Sequence, residues 1–149
     1  MVARLVRLIL LSAALAACAS RAPMVLPELD VPAGDPLLTS PAQSLWKQAV
    51  VARTDGNLVA AGRLLERAAN LAPDSSWLYR ELAELRLRQD SPVAAEGLAR
   101  KALRLAPDNP VYQSALWQLV ATARVRQGDD EGAKQARTEA TLLIERGQQ

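Results

Sequence analysis

The sequence predicts an all-α protein in which six short helices pair into three hairpins, and three observations lead to this fold class. Half of the 149 residues are hydrophobic and only 3% are aromatic, so the core must consist largely of Leu, Val and Ala, a composition that suits closely packed helices better than strands. Short polar breaks recur at helix-sized intervals. The stretch NLAPDSS at residues 70–76 returns as RLAPDNP at residues 104–110, a period of 34 residues, which is typical of repeated helical hairpins.

Residues 1–17 have the layout of a secretory signal peptide. Arg4 and Arg7 form a basic start, and residues 8–17 are apolar apart from Ser12. An apolar run of about ten residues is too short for a transmembrane helix, which needs ~20. We therefore expect residues 1–17 to act as a targeting segment that is removed from the mature protein.

The signal peptide runs into the sequence LAAC at residues 15–18, which resembles the lipobox of bacterial lipoproteins. Cys18 is the only cysteine in the chain, so one chain cannot form an internal disulfide. The resemblance implies that Cys18 is acylated and anchors the protein to a membrane. The residue after Cys18 is Ala19. In the lipoproteins that this sequence resembles, an Asp at that position retains the protein in the inner membrane. By the same resemblance, Ala19 implies the outer membrane, with the protein facing the periplasm. An ordinary signal cut at a neighbouring small residue and a non-functional apolar tail are the alternatives.

Residues 18–41 are interpreted as the lipidated cysteine followed by a Pro-rich flexible linker. Five of the nine prolines lie in this segment, where they prevent a continuous helix and favour extended backbone. At ~3.1 Å per residue, such a linker holds the next domain up to about 70 Å from the membrane. The apolar clusters at residues 24–26 and 36–38 could instead dock onto the domain, and the sequence does not decide between the two.

The folded domain is predicted over residues 42–149. Ser40 can cap the first helix, Pro41 suits its first position and Gln43 can complete a capping box. Loops as short as the polar breaks produce antiparallel hairpins stacked in a row, and the last helix, from about Asp130 to Arg146, is expected to cover the open end of the stack. The breaks lie at residues 54–57, 72–76, 89–92, 106–110 and 127–130.

The 34-residue period, with a small residue in each second helix, resembles the tetratricopeptide repeat. Small side chains at such positions let two helices approach closely. Two features depart from the pattern. Four extra residues lengthen the first helix of the third unit by about one turn. Polar residues occupy four positions that are usually apolar, namely Gln48, Arg86, Arg124 and Arg137. The matching residues are Leu45, Ala49, Ala61, Leu65, Ala68 and Pro73 in unit one, Tyr79, Leu82, Ala83, Ala95, Ala102 and Pro107 in unit two, and Trp117, Val120, Ala121, Ala133 and Ala140 in unit three.

Charge and composition argue against several classes of function. Arg4 and Arg7 account for the whole excess of 18 basic over 16 acidic residues, so the mature protein has no net charge to attract nucleic acid. The sequence has no His, which excludes His-assisted nucleophiles and histidine metal sites. Glu81 and Glu84 are interpreted as a solvated helix face with at most one ion pair, Glu84 with Arg88. We therefore expect no enzyme activity, no cofactor, no metal and no small-molecule substrate.

The repeat resemblance implies a protein that binds a peptide or protein against its first helices. The paired Asn and Lys with which one variant of the family clamps a C-terminal carboxylate are missing, since Val50, Glu84 and Thr122 occupy the matching region. The whole chain resembles the LpoP-type outer-membrane lipoproteins, which implies that it stimulates a bifunctional, class A penicillin-binding protein in peptidoglycan synthesis. The alternative is a pilotin-like or assembly-scaffold lipoprotein for a pilus or secretion system.

Partner binding is predicted on the first helices of units one and two, centred on Trp77. Leu78, Leu82 and Leu85 form the apolar stripe of the second of these helices, whereas Trp77 lies on its polar side, and an aromatic residue on a polar face is typical of a binding site. Alternatively, Trp77 covers the junction with the preceding hairpin. Trp117 matches a core position of the repeat and is expected to be structural. The remaining predicted binding residues are Arg80, Arg88, Trp46, Arg53 and Glu84.

Overall fold

The protein, seen in a computed structural model, has the all-α fold that the sequence predicts. The structure describes residues 30–148, so the predicted signal peptide, Cys18 and residues 19–29 lie outside the described residues. Within the described range, six α-helices follow one another and are separated by the short breaks seen in the sequence. They are α1 (Ala42–Thr54), α2 (Leu58–Leu71), α3 (Ser76–Arg88), α4 (Pro92–Leu105), α5 (Pro110–Gln127) and α6 (Asp130–Arg146).

Helix caps explain why the stretch at residues 70–76 is repeated 34 residues later. In both copies the chain leaves a second helix, turns, and presents a capping residue to the next first helix. Ser75 accepts a hydrogen bond from the backbone N–H of Leu78, and Asn109 accepts one from Tyr112. Each bond satisfies a backbone donor that the first helical turn leaves without a partner. Pro110 then starts α5, where a missing N–H costs nothing.

Each pair of helices, α1 with α2, α3 with α4 and α5 with α6, packs as a hairpin through buried alanines. Ala61 and Ala95 are fully buried at the equivalent position of α2 and α4, as is Ala133 in α6. The later positions Ala68 and Ala102 are also fully buried. Small side chains on every second helix allow close helix contact, which confirms the predicted repeat register.

The third unit accommodates Arg124, one of its departures from the repeat pattern, with hydrogen bonds in place of apolar packing. Its first helix, α5, has 18 residues where α3 has 13, as the extra turn predicts. Half-buried Arg124 donates from Nε to Glu96 Oε1 at 2.9 Å and from Nη1 to the backbone oxygen of Gly132 at 2.8 Å. Glu96 also accepts from Arg100 at 3.0 Å and Gln127 at 3.0 Å. This polar junction links α4, α5 and α6.

Residues 31–40, called the strap below, precede α1 and pack on the domain. They contain a short 3₁₀ helix, Pro36–Thr39. Leu37 from this helix is fully buried in the main core cluster, and Pro32 is also buried. The apolar cluster at residues 36–38 is therefore docked on the domain. The other apolar cluster of the linker, residues 24–26, lies outside the described residues.

The join between the strap and α1 depends on Ser40. Its Oγ accepts a hydrogen bond from the backbone N–H of Ala42 at 3.1 Å, so Ser40 satisfies one donor at the start of α1, although Pro41 and not Ser40 occupies the N-cap position. Pro41 precedes the first residue of the helix. The backbone N–H of Gln43 donates to the Ser40 carbonyl at 3.1 Å, which closes the first turn.

Candidate protein-binding surface

The first helices of the three units each contribute one ring to a row of aromatic side chains, called the aromatic ladder below. Trp46 from α1 meets Trp77 from α3 edge to face, with ring centroids 6.4 Å apart and planes at 84°. On its other side Trp77 stacks on Tyr112 from α5, with centroids 6.2 Å apart and planes at 17°. Such pairs contribute roughly 0.5–1.5 kcal/mol each beyond the burial of their area. The ladder thus joins all three units along the first-helix side of the stack.

Trp77 is not the exposed anchor that the sequence suggests, because only 4% of it is accessible. Considered alone, α3 places Trp77 on its polar side, which predicts exposure. In the fold, Trp46 and Tyr112 from the neighbouring first helices cover its ring. The alternative, that Trp77 seals the junction between hairpins, is therefore correct.

Tyr112 is buried with its hydroxyl in a short polar chain. Ser76 Oγ donates to the Ala102 carbonyl oxygen at 2.8 Å and lies 3.1 Å from Tyr112 Oη. Burial raises the pKa of Tyr112 to about 12, although its hydrogen bond with Ser76 partly opposes that rise. The phenol therefore stays neutral at physiological pH and acts as a structural member of the ladder.

A chain of ion pairs runs from α1 to α3 beside the ladder. Glu81, only 4% accessible, accepts a hydrogen bond from Arg53 Nη1 at 2.8 Å. Arg80 Nη1 lies 3.5 Å from the other oxygen of Glu81, and Arg80 Nη2 lies 2.6 Å from Glu84 Oε1. The expectation of a solvated carboxylate face is therefore wrong for Glu81, because α1 supplies Arg53 as a partner and removes the carboxylate from water.

Arg80 connects the ion pairs to the ladder. Its guanidinium carbon lies 4.6 Å from the centroid of the Trp77 ring, a distance at which a cation is attracted to an aromatic face. With a carboxylate on either side and the indole beneath, Arg80 is held in one position by three neighbours. A guanidinium fixed in this way presents its remaining donors in a defined direction.

Glu84 completes the ion-pair chain on the side facing solvent. Partial burial raises the pKa of its carboxyl above the ordinary value of 4.5, the positive charge of Arg80 opposes that rise, and the negative charge of Glu81 adds to it. The predicted pair with Arg88 is replaced by the pair with Arg80. Arg88 is exposed at the end of α3, and within residues 30–148 it forms no ion pair.

The structure brings together five of the six residues predicted to bind a partner. Trp46 and Arg80 contact the Trp77 ring, and Arg53 and Glu84 are linked to Arg80 through ion pairs. These four residues, together with Arg88 one turn beyond Glu84 on α3, are called the inner surface below. Glu81, Asp35 and Tyr112 also shape this region but were missed by sequence reasoning. The three rings of the ladder do not occupy equivalent positions in their units, so the 34-residue repeat gives no signal for them.

Trp117 is half-buried and packs against a second core cluster that contains Ala83, Ala99, Val120, Ala121 and Ala136. This placement agrees with the structural role expected for it. One side of its ring lines a shallow groove between α4 and α6, together with Arg100, Arg124, Gln135 and Glu139.

Among residues 30–148, no group of three or more His, Cys, Asp or Glu side chains is arranged to hold a metal ion. Over the same residues, no helix combines the length and the apolar character needed to cross a bilayer.

Comparisons with known proteins agree with this architecture. Residues 52–119 match the tetratricopeptide repeat family model. Among solved structures, the globular C-terminal domain of P. aeruginosa LpoP is 38% identical and superimposes with a TM-score of 0.65, covering 68% of this chain and 95% of that domain. The second tetratricopeptide domain of Spaghetti (RPAP3), bound to the HSP90 peptide SRMEEVD, is 22% identical with a TM-score of 0.61, covering 68% of this chain and 91% of that one, which supports the fold alone. No curated protein matches the chain.

Proposed function

Since this chain belongs to the tetratricopeptide-repeat family and to its LpoP type, we propose that it is a lipid-anchored regulator that binds and stimulates a class A penicillin-binding protein. The observation that supports this most directly is the 38% identity over 95% of the LpoP domain. Tetratricopeptide domains bind protein partners, and no step of the proposed activity requires catalysis by this chain. Its role is to favour the active conformation of the synthase by binding that conformation more tightly.

The inner surface supplies the chemistry for such binding. Trp46 is half-buried, so it offers an apolar edge, while its neighbour Trp77 holds it in place. Arg53 and Arg80 are paired with Glu81 and Glu84, whereas Arg88 is exposed and forms no ion pair within residues 30–148. Trp and Arg are the residues that most often dominate binding energy at interfaces. We therefore propose that the partner presents an apolar side chain to Trp46 and an acidic group to Arg88.

The N-terminus supplies the proposed location. Acylation of Cys18 would anchor the chain in the outer membrane with its repeat domain in the periplasm, and several acyl chains together give stable attachment. From this position the domain can reach toward a synthase held in the opposite membrane. The anchor therefore confines the regulator to the outer side of the cell wall without taking part in the contact itself.

A glycan-polymerisation assay with the purified synthase and the soluble chain without its anchor, residues 19–149, tests the proposal. We expect the chain to raise the polymerisation rate. Arg88→Glu should weaken this effect, because the substitution reverses the one exposed charge of the surface while leaving the ion-pair chain intact. Arg67→Glu on the exposed face of α2 is the matched control and should behave like the parent chain.

The assay also has a clear negative outcome. If no class A synthase from the same cell changes its rate when the chain is added, the activator function is wrong. If stimulation occurs but Arg67→Glu impairs it as strongly as Arg88→Glu, the partner binds elsewhere and the inner surface is not the site.

A further inference from the structure

The strap is held on the domain by a small number of specific contacts. Leu37 is fully buried, and the Asp35 carboxylate, 6% accessible, accepts two backbone hydrogen bonds. One comes from Leu37 within the strap at 2.9 Å, and the other comes from Trp77 at the start of α3 at 3.1 Å. Asp35 thus acts as a second cap for α3, supplied from a segment 42 residues away in sequence.

These contacts decide where the chain leaves the domain. Without them, the linker would end at α1, which begins at Ala42. With the strap docked, the chain becomes part of the folded structure at about Val31, which packs against the main core cluster. The contacts involve buried Leu37 and Pro32, partly buried Val31 and the Asp35 carboxylate, and segments with so few buried contacts open locally at a much lower free energy than the core.

We propose that the strap is a releasable latch that sets the reach of the lipid tether. This inference depends on the proposed function, in which Cys18 is anchored in the membrane. Docked, the strap leaves residues 19–30, about twelve residues, between Cys18 and the domain, a reach of roughly 37 Å at ~3.1 Å per residue. Released, it adds about ten residues and extends the reach by roughly 31 Å. Tension on the tether, when the domain binds a distant partner, favours the released state.

Trp77 links this latch to the inner surface. Its backbone N–H is bonded to the strap, whereas its ring supports Trp46 and Arg80. The ring contacts join α1, α3 and α5 and do not involve Asp35, so the proposal requires the ladder to persist when the strap is released. The domain can then extend its reach without losing the proposed binding surface.

The test is a compensation experiment with the full-length lipoprotein in cells. Deleting residues 21–29 keeps Cys18, Ala19 and Ser20 and shortens the tether by roughly 28 Å. We expect this deletion to reduce cross-linking of the protein to its synthase. Adding Leu37→Ser should restore the cross-linking, because the released strap replaces about the length that was removed. Asp35→Ala should act in the same direction through a different contact.

Leu38→Ser is the matched control, since Leu38 is 43% exposed beside the buried Leu37, and it should not restore cross-linking. The proposal is wrong if the deletion has no effect, if neither strap variant rescues it, or if Leu38→Ser rescues it equally. Thermal unfolding of each variant by circular dichroism checks that the repeat domain is folded. Stimulation by the unanchored chain in solution separates the two hypotheses, because it tests the activator function independently of the tether.

Discussion

At the scale of single residues, Glu84 and Glu96 show how the fold gives two similar glutamates opposite electrostatic roles. Both lie on helices and both form an ion pair with an arginine. For Glu84, burial and the negative charge of Glu81 raise the pKa more than the positive charge of Arg80 lowers it, so the pKa lies above its ordinary value. Glu96 is also partly buried, which by itself raises the pKa, but hydrogen bonds from Gln127, Arg124 and Arg100 outweigh that effect and lower it.

Glu96→Gln should destabilise the domain at neutral pH by about 1 kcal/mol, because the charged carboxylate holds α4 to α5 through Arg124 and Gln127. The lowered pKa means that this contribution is present above the ordinary value of 4.5 and is lost as the pH falls through the folded-state pKa. Urea unfolding of both chains at several pH values measures the difference. A cost that stays constant from neutral to acid pH would show that the charge of Glu96 is not responsible.

Glu84→Gln should have the opposite pH dependence. A raised folded-state pKa means that the neutral carboxyl stabilises the fold below the ordinary value of 4.5, and that this contribution is lost as the pH rises through the folded-state pKa. Glutamine imitates the neutral form, so the variant should be as stable as the parent in acid and slightly more stable at pH 7. The same urea series tests it, and a clear loss of stability at pH 7 would show that the pair with Arg80 outweighs the burial.

The sequence predicts which residues of α3 form its apolar stripe, but not the environment of every residue on that helix. The stripe of Leu78, Leu82 and Leu85 is buried as predicted, because a helical period needs only one helix to be recognised. The environments of Trp77 and Glu81 depend on Trp46 and Arg53 from a different helix. No pattern within α3 contains that information.

At the scale of elements, the helix boundaries could be predicted because they depend on local chemistry. Ser75, Asn57, Asn109 and Asp129 each accept a hydrogen bond from a backbone N–H three residues later, and these capping residues lie in the polar breaks of the sequence. The docking of the strap could not be predicted in this way. It depends on the hydrogen bond between Asp35 and the first turn of α3, which is distant in sequence.

Ala95→Leu should destabilise the hairpin of α3 and α4 by about 1–3 kcal/mol, because a larger side chain at a fully buried helix contact forces the helices apart. Ala61→Leu should do the same for α1 and α2. Ala94→Leu is the control, since Ala94 is exposed on the same helix and should change stability by less than about 0.5 kcal/mol. Equal midpoints of thermal unfolding for the Ala94 and Ala95 variants would contradict the assigned packing.

At the scale of the whole molecule, the chain combines a proposed membrane anchor, a tether and a rigid domain. Cys18→Ala should abolish lipidation and either release the protein into the periplasm or leave its signal peptide uncleaved. Cell fractionation with mass spectrometry of the N-terminus measures both outcomes. Detection of an unmodified Cys18 in the wild-type protein, or of a mature N-terminus at another residue, would show that the lipobox interpretation is wrong.

The aromatic ladder also determines how the domain as a whole should come apart. In long repeat arrays, stability is roughly a sum over units and their interfaces, so an end unit can melt by itself. Here the ring of Trp77, in the middle unit, contacts Trp46 in the first and Tyr112 in the third, and loss of either outer unit exposes the same indole. We therefore expect a single cooperative transition, with tryptophan fluorescence and helical circular dichroism following one curve. Separate midpoints for the two signals would mean that the units melt independently. If the transition is single, a substitution that destabilises one end unit will lower the unfolding midpoint of the whole domain.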